Sequence, residues 1–436
     1  MSFAQGFRTT PHAATALLRS VSSTLLDDAE PAYRCIMTKI ETTHAGSLPR
    51  TAELIEANAA RQIADDGFTL ERTGEFEQKL ALAVDSVVLA QRDAGITIPN
   101  DGEYGKAMST TLNYGSWWSY IFERVEGLSL IDEDFFNSPP VASSPGNVQL
   151  TSFADRRDRQ LFPGAYSDPD SGVTIGKQAP VFPSTTGPLR YRGQEAVASD
   201  VQNLRASLDR AGIEQGFVSS ISPGSGARIT NSHYATEREH IFAWADVLRE
   251  EYRAIVDAGL VLQIDDPSIA ENWDQINPEP SIEDYRDFTR LRVEALNYAL
   301  EGIPAEQVRF HLCWGSWHGP HVTDIEFKHI ADLMLEINAR DYSFEGANVR
   351  HEHEWKVWRD LELPAGKRIL PGIVSHATNV VEHPELVADR LAKYTDAVGA
   401  ENVVGSTDCG LGGRVHPEIA WAKLRSLGEG AGQQLR

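Results

Sequence analysis

Short apolar runs separated by stretches long enough for a helix recur along most of this chain, and few architectures accept that alternation. The runs fall at residues 40–43, 95–99, 179–183, 216–221, 260–264, 307–312, 341–344, 368–373 and 402–405. Between them lie helical periods: Leu80, Ala83, Val84, Val87 and Val88 within 76–94, and Ile241, Trp244, Val247, Leu248 and Ile255 within 234–258. Further helical patterns span 282–300 and 384–397, the latter with Pro384 in its first turn. Strand and helix in alternation read as βα units around a parallel sheet. The expected fold is therefore α/β, a (β/α)8 barrel, with nine candidate runs for eight staves; a chain of 436 residues is long enough for one such barrel.

Two segments break the rhythm. Residues 108–178 hold Trp117, Trp118, Phe135, Phe136 and a Pro-rich run from Ser138 to Pro145, and read as an excursion inserted after the second strand, a lid, a partner contact or an ordinary surface insertion. Residues 1–36 have neither the continuous apolar core of a secretion signal nor a strand–helix pattern. They read as a loosely ordered extension, with Met37 as an alternative start and 37–436 as the catalytic body.

Charge narrows the partners. A formal net charge of -23 repels phosphate backbones and anionic lipid, which argues against nucleic acid or membrane partners and leaves small molecules. No apolar stretch nears the ~20 residues that span a bilayer. Three cysteines, Cys35, Cys313 and Cys409, are too few for a disulfide framework and suggest a reducing cytoplasm. The tryptophan-rich excursion leaves room for a homo-oligomer.

Cys313 and Cys409 each follow an apolar run. His311-Leu312-Cys313 closes one, and Thr407-Asp408-Cys409-Gly410 follows another, while Glu345 follows Tyr342-Ser343-Phe344. Side chains two apart on a strand share a face, so His311 and Cys313 can offer nitrogen and sulfur to one ion. Two sulfurs, one nitrogen and one carboxylate oxygen suit tetrahedral Zn2+ better than magnesium or calcium. A lone His-x-Cys is more often packing, and the case rests on third and fourth donors at equivalent strand ends. A purely structural knuckle would use Cys-x-x-Cys pairs, which this chain lacks.

Other reactive side chains also follow strands. The first run leads into His44-Ala45-Gly46-Ser47-Leu48-Pro49-Arg50, the second into Asn100-Asp101-Gly102-Glu103, and the run at 260–264 into Asp265-Asp266-Pro267. Carboxylates converging on one barrel mouth suit an ammonium group, although Asp-Gly is also a common turn and Ser47 could cap a helix instead. In Arg350-His351-Glu352-His353-Glu354 the histidines are two apart, on different faces if helical, which favours local hydrogen bonding over a second metal.

These motifs, spread from about residue 40 to 425, resemble the catalytic barrel of the cobalamin-independent methionine synthase family. Gly46-Ser47-Leu48-Pro49 is similar to its Gly-Ser-Phe-Pro turn, Asp101-Gly102-Glu103 to its His-Gly-Glu, and 262–267 to its Ile-Gln-Ile-Asp-Glu-Pro. His311-Leu312-Cys313, Glu345 and Asp408-Cys409-Gly410-Leu411 fall on its zinc motifs. The resemblance implies Zn2+ held by His311, Cys313, Glu345 and Cys409, an amino-acid thiol held by Ser47, Glu103 and Asp265, and methyl transfer from an alkyl donor to the thiol of homocysteine. His376 falls near the family's catalytic histidine, out of step by one residue.

There are departures. The family's N-terminal half is missing, and no tryptophan follows the third strand, where the family stacks a pterin; Trp117 or Trp118 is the candidate substitute. Single-barrel relatives also include epoxyalkane:coenzyme M transferases, whose sulfonate substrate calls for a cationic pocket, with Arg50, Arg190 or Arg192 as candidates. Glu103 and Asp265 favour an amine-bearing thiol instead. A barrel acting only as a binding protein, and the metal-free uroporphyrinogen decarboxylase relatives, are the competing classes.

Overall fold

The computed structural model describes residues 40–107, 116–132, 138–173, 182–315 and 317–433. A two-stranded antiparallel ribbon, β1 (Val125–Ser129) and β2 (Ser184–Tyr191), precedes six parallel strands. These are β3 (Phe217–Ile221), β4 (Val261–Asp265), β5 (Val308–Leu312), β6 (Asp341–Phe344), β7 (Arg368–Val374) and β8 (Ser406–Thr407), paired in sequence order. Two staves without regular strand geometry close the ring. Thr42 bridges Gly405, Thr97 N and Ile98 N donate to Thr42 O at 3.0 Å, and Asn100 bridges Phe217. Eight parallel staves thus form the expected barrel, with helices between successive strands.

Burial shows why. β3, β4, β5 and β6 are buried at every position, as parallel strands covered on both faces must be. Ile98, Phe217, Val261, Leu370 and Val404 form a cluster separate from the main core. They come from staves on both sides of the ring and can meet only through its interior. Outside, the helix Gly74–Asp93 turns Phe76, Leu80, Val84, Val87 and Val88 inward, each contributing roughly 1.5–3 kcal/mol when fully buried. The helix Glu237–Asp257 starts three residues later than its period suggests, because Thr236 and Glu239 form a capping box there.

Of the run at 179–183, only Phe182 and Pro183 are described, and they carry no strand geometry. Residues 179–181 lie outside the described residues, and the strand that follows, β2, runs antiparallel to β1 beside the barrel. Gly127 makes that pairing possible: at φ +91 it forms a bulge, and a Cβ there would lie 2.6 Å from Pro188 O. Pro188 lacks a donor, which a two-stranded ribbon tolerates.

The described part of the excursion is pinned to the barrel's rim. Ser143 N, Thr151 N and Arg157 N donate to Asn277 O, Gln275 O and Asp274 O in the loop after β4. Buried Arg156 pairs with Glu271 (2.9 Å) and Asp274 (2.7 Å). Phe135, Phe136, Met37 and the extension at 1–36 with Cys35 lie outside the described residues. Among those described, no helix is long and apolar enough to cross a membrane.

Candidate metal centre

β5 is wholly buried, so its alternation sends His311 to one face and Cys313, just past its end, in the same direction. In register, His311 faces Asp265 of β4 on one side and Ser343 of β6 on the other. Its Nδ1 lies 3.0 Å from Ser343 Oγ. With Nδ1–H donated there, Nε2 presents a lone pair, and that buried nitrogen has no well-aligned hydrogen-bond partner.

Cys409 arrives from the far side of the ring. Its loop is held by Asp408, whose N donates to Val374 O and whose Oδ1 accepts from Gly346 N and Ala347 N, both at 2.8 Å. Leu411 N and Gly412 N donate to Ser47 O at 2.9 Å, locking this loop onto the one after the first stave. The result is that ligand atoms of His311, Cys313 and Cys409 lie within 4.8 Å of one another. The Cys313 hydrogen bond, with help from His311 and against burial, holds the Cys409 thiol well below its usual pKa, while the same bond and burial push Cys313 up.

Glu345 stands beside this trio but not within it. Its Oε1 accepts from Trp314 N at 3.0 Å and its Oε2 from the Asn348 side-chain amide. Its ligand oxygen groups instead with His376 and Asp408, again within 4.8 Å. Burial and the charge of Asp408 push its carboxyl up to about 8. His376 is buried with no partner at Nδ1, and burial lowers it to about 3, so it is a neutral imidazole. It is not among the residues that line the cavity described next, although it lies near enough to Cys409 for their charges to interact.

A cavity opens against the trio. Ser47, Glu103 and Asp265 line it together with His311, Cys313 and Cys409. Glu103 sits at φ +58, rare for a residue with a Cβ, in a turn fixed by Gly102 N to Asn100 Oδ1 and Glu103 N to Asp101 Oδ1. Behind it, buried Lys106 lies 3.4 Å from Glu103 Oε1 and packs on the Tyr120 ring. Asp265 accepts from Gln263 Nε2 at 2.6 Å, and burial with the charge of Glu103 pushes it up to about 7.

Trp117 lines the cavity, whereas Trp118 packs against Phe122 and Phe182. Arg50 does not reach the cavity: its guanidinium donates to Glu103 O and Lys106 O, a clamp on the turn. Arg192 bonds Asp66 and Thr69, and Arg190 sits on the ribbon. The cation that does line the cavity is Arg414, which sequence reasoning missed; its one signal is being five residues beyond Cys409. His351 bridges Asp324 (3.0 Å) and Glu354 (2.7 Å) and stacks on Trp314, in keeping with local hydrogen bonding.

Residues 191–433 match the family model described as the cobalamin-independent synthase catalytic domain. The chain belongs to that family. The matched region carries His311, Cys313, Glu345, His376, Cys409 and Asp265, while Ser47, Glu103 and Trp117 lie before it. Among relatives of this synthase-family chain, a methionine synthase of Sulfolobus acidocaldarius is 23% identical over 413 residues, 90% of this chain and 92% of the relative. A methionine synthase of Saccharolobus solfataricus is 27% identical over 203 residues, 46% of this chain and about half (52%) of the relative. A B12-independent methionine synthase structure from a Shewanella species superposes with a TM-score of 0.61 at 18% identity, covering 90% of this chain and 97% of that one. A Listeria monocytogenes structure, titled a putative vitamin-B12 independent methionine synthase, gives 0.57 at 16%, covering 91% and 99%. At these identities the structures speak to the barrel alone.

Proposed function

We propose that this chain is a zinc-dependent thiol methyltransferase whose acceptor is homocysteine. The observation that carries the reading is that three soft donors meet on the wall of the same cavity that Ser47, Glu103 and Asp265 line. The fit to Zn2+ rests on the donor set, two sulfurs and an imidazole, and on His311 Nε2, a buried nitrogen left without a well-aligned partner. His311, Cys313 and Cys409 would hold the ion, with Glu345 as the fourth donor once released from Trp314 N and Asn348. Bound there, zinc supplies acidification of a thiol, which is otherwise mostly protonated at neutral pH.

The chain's own residues do the rest. Glu103 and Asp265 take the ammonium of the acceptor, Lys106 pairs with Glu103 from behind, and Trp117 lines the same cavity. The acceptor sulfur's lone pair forms the new S–CH3 bond as the methyl–donor bond breaks, and the bonding pair leaves with the donor. The relatives' name, methionine synthase, supports the same acceptor.

The test is elemental analysis together with thiol titration. Stoichiometric zinc, lost in Cys409→Ala, and a homocysteine-dependent change in the absorption of the cobalt-substituted protein are expected. Absence of bound metal from the purified protein and no response to homocysteine after metal loading would sink the reading.

A further inference from the structure

Both oxygens of Glu345 are tethered, and both tethers lead to one buried side chain. Oε1 accepts from Trp314 N at 3.0 Å, and the Trp314 ring stacks on the His351 ring, with centroids 3.9 Å apart and planes at 22°. Oε2 accepts from the Asn348 side-chain amide, whose own Oδ1 accepts from His351 N at 3.0 Å. His351 is fixed in turn at both ring nitrogens: Nε2 meets Asp324 Oδ2 at 3.0 Å and Nδ1 meets Glu354 Oε2 at 2.7 Å. Asp324 belongs to the stretch after β5 that begins at Cys313, and Glu354 to the stretch after β6 that begins at Glu345. With a carboxylate at each nitrogen, the ring donates from both and is an imidazolium. Burial works to lower its pKa, but the bonds to Asp324 and Glu354 outweigh it and raise it to about 9. His321 shares Asp324, at 3.0 Å. A cationic ring on an indole adds its own attraction to the Trp314 arm.

The tethers decide where Glu345 stands. They hold it with His376 and Asp408 rather than with His311, Cys313 and Cys409. To join that trio it must give up or bend its two hydrogen bonds, and bonds to a charged group are the costlier ones to break. We propose that His351 is a positioning residue that parks Glu345 off the metal, through Trp314 on one side and Asn348 on the other, and so leaves the fourth coordination position to an incoming thiol. The inference rests on the proposed thiol methyltransferase reading and deepens it. Trp314, Asn348 and His351 are not among the residues that line the cavity, so the clasp acts through Glu345 and touches no substrate.

The experiment measures two affinities of the full chain: for zinc, by competition with a chelator, and for homocysteine, by the absorption of the cobalt-substituted protein. His351→Gln should hold zinc about tenfold more tightly and homocysteine about tenfold more weakly, because the freed Glu345 then competes with the thiol. Glu354→Gln, which keeps the shape and removes the charge, should shift both in the same directions by a smaller factor, and it carries the test if His351→Gln does not fold. In a Glu345→Gln background neither replacement should move either affinity by more than about twofold. Zinc and homocysteine weakening together in both variants, which is what a merely structural role would give, would overturn the proposal. So would unchanged affinities, or an effect that survives in the Glu345→Gln background. A parent protein that holds no zinc and whose absorption answers to no thiol would overturn the underlying reading and this proposal with it. A parent that binds both, with variants lacking the opposed shifts, overturns the proposal alone.

Discussion

His311 Nδ1 lies 3.0 Å from the hydroxyl of Ser343, its register partner on the neighbouring strand. That contact sets which ring nitrogen faces the two sulfurs. Removing such an outer partner commonly costs about 10–100-fold in metal affinity. Ser343→Ala should therefore weaken zinc by that factor in a chelator competition while leaving the unfolding midpoint of the metal-free protein nearly unchanged.

Gly372 lies under the Cys409 loop. A Cβ there would sit 2.2 Å from Asp408 Oδ1 and 2.5 Å from Asp408 Cα, and backbone cannot yield as a flexible side chain would. Gly372→Ala should cost about 1–3 kcal/mol or more in urea unfolding and lower metal occupancy, because the Asp408 bonds to Gly346 N and Ala347 N also position Cys409.

Lys106 is buried against Glu103 Oε1 at 3.4 Å. Replacing it with Gln leaves a carboxylate without its cation beside the proposed amine site. The expected result is a KM for homocysteine raised by about tenfold with kcat largely retained, measured by steady-state kinetics with the methyl donor saturating. A loss confined to kcat would argue against this role.

Glu251 joins the excursion to the barrel helices through Arg124, Tyr120, Tyr191 and Ser220. Burial works to raise its carboxyl, but the charge of Arg124 and the hydrogen bonds outweigh it and hold the pKa below the usual value. A lowered folded pKa means the unfolded state binds more protons, so this stability is present above the ordinary carboxylate range, near ~4.3, and is lost as pH falls through the folded value. Glu251→Gln should lower stability at pH 7 and flatten the acid limb of the melting-temperature profile measured between pH 3 and 7.

Much of the site was readable because its donors sit at strand ends. A period of two puts His311 and Cys313 on one face, and the barrel's C-terminal rim gathers whatever follows each strand. The same logic brought Ser47, Glu103 and Asp265 to one cavity. It does not say which neighbours on other loops a side chain takes. Glu345 bonds Trp314 N and Asn348, His376 turns to Glu345 and Asp408, and Arg50 is spent on two carbonyls.

Local sequence thus determined the alternation of strand and helix, the helix caps and the chemical nature of the donors, all set by periods of two and 3.6 and by adjacent residues. Ring closure decided the rest. Only when β8 is brought round to Thr42 does Cys409 meet His311 and Cys313 across hundreds of ångströms of extended chain. Closure also brings Arg414 and Asp265 to one cavity, because adjacency around a ring has no counterpart in spacing along a chain.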